Sequence, residues 1–245
     1  PSEGSRYRLL SYRLLDAVAL AAAAFEAGCA AAYRALARDL EAPLQEGERA
    51  ASHPVRLWNF VPRILEPLGE LDHRYMVFNA GRYRALAEHL GGTSRFNRRV
   101  ATASGVGHFG QDFWLHCLAS VEDGLPVENP RQTPAYRYSE RFGPLPPCFA
   151  RATRVHASSS MVVVGGTASV VGEASHHVGD LGRQLDETFR NLATLVHVGV
   201  LNGHRRPGDP LPTDEGLEPL LHRYRSLRVY YPRARDLETI RSSLG

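Results

Sequence analysis

The residues best equipped for chemistry in this 245-residue chain fall in two short stretches of its second half. The first runs Glu128-Asn129-Pro130-Arg131-Gln132, then Tyr136-Arg137-Tyr138, then Arg141-Phe142-Gly143-Pro144. A surface loop of this make-up is commonly a solvated connection. The same residue types also suit anion recognition, because arginine offers a planar fork to a carboxylate and tyrosine an amphipathic wall ending in a hydroxyl. The second stretch is Gly165-Gly166-Thr167-Ala168-Ser169-Val170-Val171-Gly172-Glu173. Glycines at a strand end ordinarily permit a turn or close packing. A Gly-Thr-Ala-Ser corner would also present backbone amides and small hydroxyls to a ligand lying against the main chain. It is no phosphate loop, since the glycine spacing and the lysine are both missing.

The rest of the composition narrows the chemistry. All 29 basic residues are arginines, which excludes a lysine Schiff base within the chain and leaves arginine or protonated histidine as the fixed positive charge at any site. Against 26 acidic residues the net charge is +3 and is spread along the chain, so small anions are expected partners and nucleic acid is not. The pair His176-His177 has no His-x-x-x-His or His-Glu spacing beside it, and no metal site is expected. No Gly-x-Ser-x-Gly elbow announces a Ser/His/Asp triad. Cys29, Cys117 and Cys148 are odd in number and far apart, which signals neither a disulfide framework nor a zinc knuckle and fits a reducing cytoplasm. The apolar run Ala17 to Ala24 is too short to span a bilayer, and no signal-peptide pattern stands at the N-terminus, so neither membrane attachment nor export is expected.

These residues need a scaffold, and 43% hydrophobic content in a chain of this length supports one large domain or two packed halves. Between Leu20 and Leu40, Phe25, Cys29, Tyr33, Leu36 and Leu40 recur at helical spacing, with Arg34, Arg38 and Asp39 on the opposite face. Val55 to Val61 alternates as a half-buried strand closed by Pro62. Tyr75 to Phe78 reads as a short strand, followed by a helix over Tyr83 to Leu90 that Asn79 or Gly81 would cap and Gly91-Gly92 would stop. Phe113 to Ala119 reads as a strand, leading through a tight turn at Glu122-Asp123-Gly124. An internal boundary is expected near residue 100. Beyond it, Cys148 to Val155 and Met161 to Val164 form an expected hairpin turning at Ser158-Ser159-Ser160. Leu181 to Val198 is an expected helix with Leu185, Phe189, Leu192 and Leu195 on one face and Asp180 as its cap. A Pro- and Gly-rich loop spans Arg205 to Gly216, Leu227 to Tyr231 reads as a strand, and Asp236 to Leu244 as a final helix.

The segment from Met161 to Gly199 carries Gly-Gly-Thr-Ala-Ser, Gly179-Asp180, Gln184, Glu187-Thr188 and Asn191-Leu192, and it resembles the core signature of the RidA/YjgF superfamily. The preceding stretch, from Glu128-Asn-Pro-Arg-Gln through Tyr136-Arg-Tyr and Arg141-Phe-Gly-Pro to Pro147-Cys-Phe-Ala-Arg-Ala152, narrows the resemblance to the chorismatases. Arg56-Leu-Trp-Asn-Phe-Val-Pro62 and Phe78-Asn-Ala-Gly-Arg82 are similar to that family's N-terminal landmarks. The resemblance implies an α/β (α+β) fold of RidA/YjgF-like, chorismate-mutase-like mixed sheets with packed helices. Its two similar halves would be a degenerate one over residues 1–100 and a catalytic one over 101–245.

The resemblance further implies cofactor-free conversion of chorismate to pyruvate and a ring product, most like the type that forms 3-hydroxybenzoate, sometimes with 4-hydroxybenzoate. Hydrolysis to a dihydroxycyclohexadiene carboxylate is the sister outcome, and an imine-hydrolysing or small-molecule-binding protein of the wider superfamily is the alternative. The long segment from Asn129 to Ala152 argues against that alternative. A carboxylic acid of raised pKa would protonate the enol ether's methylene carbon, leaving an oxocarbenium centre open to attack. Arg151, with Arg141 or Arg82, would hold the two substrate carboxylates, and Tyr136 and Tyr138 would orient the ring. Gly166, Thr167, Ala168 and Ser169 would lie against it, bulk near Ala168 deciding whether water enters. The family's acid is a glutamate expected beyond Gly245, and the N-terminus also reads as shorter than the family's. Glu187 stands as a substitute whose helical position favours a structural role.

Overall fold

The computed structural model describes residues 6–42, 52–71, 73–155, 161–200, 213 and 216–244. Four strands, β1 (Tyr7–Leu14), β2 (His53–Pro62), β3 (Thr102–His108) and β4 (Phe113–Ser120), form one sheet in the order β1-β4-β2-β3. β4 runs antiparallel to both its neighbours, and β3 lies parallel to β2. Helices α1 (Ala22–Glu41) and α2 (Arg74–His89) cover one face. The buried stripe of α1 is the expected one, Phe25, Cys29, Tyr33, Leu36 and Leu40. It meets Leu57 and Val61 of β2 and Phe113, Leu115 and Cys117 of β4. Rings lock the centre: Phe113 stands 6.4 Å from Phe25 and 5.5 Å from Phe78.

The apolar run Tyr75 to Phe78 is not a strand but the first turn of α2. A four-residue apolar run fits either period, and here burial of Val77, Phe78 and Ala85 against α1 decides for the helix. Asn79 and Gly81 consequently sit inside α2 and cap nothing. Gly81 has a different use, since a Cβ there would stand 2.5 Å from the Glu26 carbonyl oxygen of α1, so the helices approach at a bare backbone. The helix ends as expected, with Gly91 at φ +67° and the Gly92 amide donating to the Ala87 carbonyl.

β3 carries Gly105 and Gly107 because a Cβ at Gly107 would meet Ile64 at 2.4 Å and one at Gly105 would meet Tyr75 at 3.1 Å. A strand thinned to admit its neighbours loses the β-branched alternation by which strands are recognised. After the short helix α3 (Phe96–Arg99), β3 and β4, both beyond residue 100, complete this first sheet.

The second region is built from shorter pieces. β5 (Leu125–Val127), β6 (Ala152–Arg154) and β7 (Val162–Val164) form an antiparallel sheet, and β8 (Val170–Val171) pairs with β9 (Ala174–Ser175). The expected strand Cys148 to Val155 is thus reduced to its last part. Ahead of β6, Ala150 makes a parallel bridge to Thr102 of β3, which couples the two sheets. The expected hairpin pairing is present, and its turn lies outside the described residues. Helix α4 (Leu181–Val200) packs on these strands, capped by Asp180, whose carboxylate accepts from the Arg183 amide at 3.0 Å. The short helix α5 (Leu217–Leu221) and the final α6 (Leu237–Leu244) follow, and the loop expected over Arg205 to Gly216 falls almost wholly outside the described residues. Leu227 to Tyr231 is not a strand, for none of the described strands pairs with it and Leu227, Val229, Tyr230 and Tyr231 stay exposed. No helix among the described residues is long and apolar enough to cross a membrane.

Candidate active site

Arg151 immediately precedes β6, and 6% of it is exposed. Its guanidinium donates to the Thr133 carbonyl at 2.8 Å and to the Tyr138 hydroxyl at 2.6 Å. It lies 5.4 Å from the Tyr138 ring and 5.2 Å from the Phe149 ring. The same Phe149 ring carries a second cation, Arg82 of α2, at 5.5 Å. Arg82 is 1% exposed, lies over Phe78, and donates to Asn79 Oδ1 at 2.8 Å. Arg82 and Arg151 thus share one aromatic surface between the two regions. Neither forms an ion pair with a carboxylate among the described residues, and Arg82 Nε, Arg151 Nε and Asn79 Nδ2 are buried without an acceptor. Buried charges are ordinarily paired, and a buried donor left unmade costs about 1–3 kcal/mol, so this cluster is disposed to receive an anion.

The Gly-Thr-Ala-Ser corner is fastened beside Arg151. The Gly165 amide donates to the Arg151 carbonyl at 2.8 Å, and a Cβ at Gly165 would stand 2.6 Å from Thr102 Oγ1, so only glycine lets the chain pass here. Gly166 and Ala168 are exposed and Thr167 is half-buried, which leaves them open to a ligand. Ser169 is different: it is buried and its hydroxyl donates to the His176 carbonyl at 2.8 Å, so the expected ligand contact is instead a brace. From α4, Asn191 Nδ2 donates to the carbonyls of Ala168 at 3.0 Å and Val170 at 2.9 Å.

Much of the Glu128 to Gln132 motif serves the same fastening. Asn129 donates to Asn191, Gln132 Nε2 to the Val170 carbonyl, and Arg131 pairs with Glu187. Glu187, 5% exposed, is therefore an ion-paired strut and no free acid. His177 Nε2 sits 4.0 Å from the same carboxylate.

The remaining expected residues divide. Tyr138 touches Arg151 directly, whereas the Tyr136 ring sits 6.1 Å from Phe96 in a separate aromatic cluster under the loop. Arg141 is not brought to Arg151. It donates to the Glu173 carbonyl at 2.9 Å and approaches the Glu173 carboxylate at 3.3 Å, tying the loop to the β8–β9 hairpin. Ser139 also donates to Glu173, and these hydrogen bonds first, with Arg141 after them, hold its carboxyl below the ordinary range. Sequence reasoning gave no role to Phe149, the shared ring, nor, within its motif, a separate one to Glu128, whose carboxyl burial pushes up to about 7 against the pull of Arg151. Only the alternation of Phe149, Arg151 and Thr153 on one face hinted at the first. Among the described residues no group of three or more His, Cys, Asp or Glu is placed to hold a metal.

Residues 4–119 match the family model described as chorismatase FkbO/Hyg5-like, N-terminal. Over 192 residues, 76% of this chain and 53% of the relative, the chain is 33% identical to a 3-hydroxybenzoate synthase of Streptomyces hygroscopicus. It is 30% identical over 190 residues to a chorismatase of Streptomyces rapamycinicus, again covering 76% of this chain and 53% of that one. The chain thus spans about half the length of the curated relatives it matches. A chorismatase crystal structure superposes over 96% of this chain and 65% of its own, with a TM-score of 0.72 at 23% identity, and so shares the fold.

Proposed function

From its similarity to the chorismatases, we propose that the chain belongs with them and that the buried Arg82–Phe149–Arg151 cluster seats chorismate for conversion to pyruvate and 3-hydroxybenzoate. The observation that carries the reading is the pair of buried guanidiniums on one ring, neither in ion-pair contact with a carboxylate among the described residues. A ring acid bearing two carboxylates supplies two negative charges and a planar body, which matches two cations flanking an aromatic wall. Tyr138 orients the ring beside Arg151, and the open corner at Gly166, Thr167 and Ala168 lies along its edge. Protonation of the enolpyruvyl methylene gives an oxocarbenium centre, and attack on it by a ring hydroxyl starts the release of pyruvate. Arg131 holds Glu187, so Glu187 is not proposed as the proton donor. The name of the 33% identical relative favours the aromatic product over the dihydroxy acid.

The same premise extends to the fold and its setting. Each region lays a 20-residue helix on a sheet, α1 on the first and α4 on the second, which supports a RidA/YjgF-like pair of halves. Because β3 and β4 complete the first sheet, the division expected near residue 100, into 1–100 and 101–245, would be drawn after β4 rather than before β3. A cytoplasmic location fits the buried free thiols of Cys29, Cys117 and Cys148.

Incubation of the protein with chorismate, followed by pyruvate assay and chromatography of the ring product, tests the activity. Calorimetric titration with chorismate tests the seat itself. Arg151→Ala is expected to weaken chorismate binding by about 100-fold, the worth of a charged, partly desolvated contact. Neither pyruvate nor binding in the native protein removes the reading, and unchanged binding in Arg151→Ala moves the anion seat elsewhere.

A further inference from the structure

Beside Arg151 stands a carboxyl with nowhere to place its charge. Val127 of β5 is paired with Ala152 of antiparallel β6. Continued one step past the end of that ladder, the register would bring Glu128 opposite Arg151, at the spacing of about 4.5–5.5 Å between Cβ atoms where cross-strand side chains interact, and Arg151 is the first charge to act on the Glu128 carboxyl. Both Glu128 carboxylate oxygens are shut off from solvent without a well-formed hydrogen bond, and Arg151 Nε opposite is buried without an acceptor. Desolvation comes first in raising the Glu128 carboxyl, to about 7, while Arg151, Arg137 and the Arg151 backbone amide draw it down. Tyr136, on the turn Ala135–Arg137, is raised first by burial and then by the Glu128 charge. The charged and titratable groups facing Glu128 are therefore Arg151 just before β6 and Tyr136 and Arg137 on that turn.

We propose that Glu128 is a positioning residue that sets how much of the Arg151 charge is free for an anion. Neutral, it leaves the guanidinium unbalanced and open to a substrate carboxylate; ionised, it competes for the same cation. The inference rests on the chorismate reading of this seat, and it gives that reading a pH dependence. A bound dianion favours the protonated form of Glu128, so binding takes up a proton. Affinity is full below the Glu128 midpoint and falls as pH rises through it, by at most about tenfold per pH unit for one linked proton.

Carbon-13 NMR of the glutamate carboxyls, with Glu128 assigned by its absence in Glu128→Gln, reads the coupling without any ligand. The expected midpoint is near 7 and moves higher in Arg151→Gln, which removes the cation that favours ionisation. A midpoint in the ordinary carboxylate range, or one that Arg151→Gln leaves in place, overturns the inference whether or not chorismate binds. Chorismate titrations between about pH 6 and 8.5, in buffers of different ionisation heat, read the consequence. Proton uptake and a rising Kd are expected in the native protein and in Glu128→Asp, and neither in Glu128→Gln. Equal pH slopes in native protein and Glu128→Gln overturn the proposal, and this arm stands alone if Arg151→Gln does not fold. A coupled titration with no chorismate heat at any pH would reject the substrate while upholding the Glu128–Arg151 coupling.

Discussion

Around Phe113 the molecule is closed by rings; around Asn191 it is closed by hydrogen bonds. Phe113 is fully buried between Phe25 and Phe78, with Leu115, Cys117 and two helices completing a core that needs only apolar surface of the right volume. Asn191, equally buried, instead spends both donor hydrogens on the Ala168 and Val170 carbonyls and accepts from Asn129. Arg131–Glu187, Gln132 and Ser169 add further polar ties within a few residues. Strands of two or three residues bury too little to hold their own shape, so the second region is aligned by directional bonds. Dispersive packing tolerates small shifts, whereas a hydrogen-bonded corner keeps its amides in one place. The proposed anion seat lies where the two kinds of construction meet, with Arg82 supplied by the first and Arg151 by the second.

Three substitutions sharpen or break that contrast. Phe113→Ala is expected to have the largest effect on stability, a loss of about 3–5 kcal/mol in denaturant unfolding, from lost burial and the cavity left between Phe25 and Phe78. If its surviving folded fraction still binds chorismate normally, the first core is scaffold alone. Asn191→Ala should cost less, about 1–3 kcal/mol, because it strands the Ala168 and Val170 carbonyls. Chorismate binding should suffer more from it than from Phe113→Ala once each is corrected for folding. The reverse ranking would mean that the corner does not depend on its polar ties. Arg141→Ala is the mildest, an exposed pair being worth little, and the chorismate Kd should change by less than about threefold. A loss approaching that of Arg151→Ala would show that Arg141 reaches the substrate after leaving Glu173.

The parts of this architecture legible in the sequence are those with a long repeat. α1 and α4 each carry five turns of consistent pattern, and β2 and β4 each alternate over most of their length. Short runs were ambiguous or misleading. Tyr75 to Phe78 has the composition of a strand and becomes helix because α1 waits alongside, and Leu227 to Tyr231 has the same composition and pairs with none of the described strands. The site divides in a similar way. Arg151, Tyr138 and the glycine corner were singled out as residue types fit for an anion and are brought together. Arg141, chosen on the same grounds, is drawn off by Glu173, and Ser169 is turned inward.

By itself the chain's order of residues determined which chemistry was available: arginine as the fixed cation, no lysine, a glycine corner able to expose backbone, and helices long enough for their periodicity to name a buried face. Which arginines are left unbalanced was decided only by the tertiary structure. A guanidinium's use depends on whether a carboxylate lies within reach, and that is a distance across strands and helices far apart in sequence, as between Arg82 and Phe149 or Arg141 and Glu173. The proton affinity of Glu128 was decided in the same way, because solvent exclusion and the charge of Arg151 act through space and leave no mark on the residues beside it in the chain.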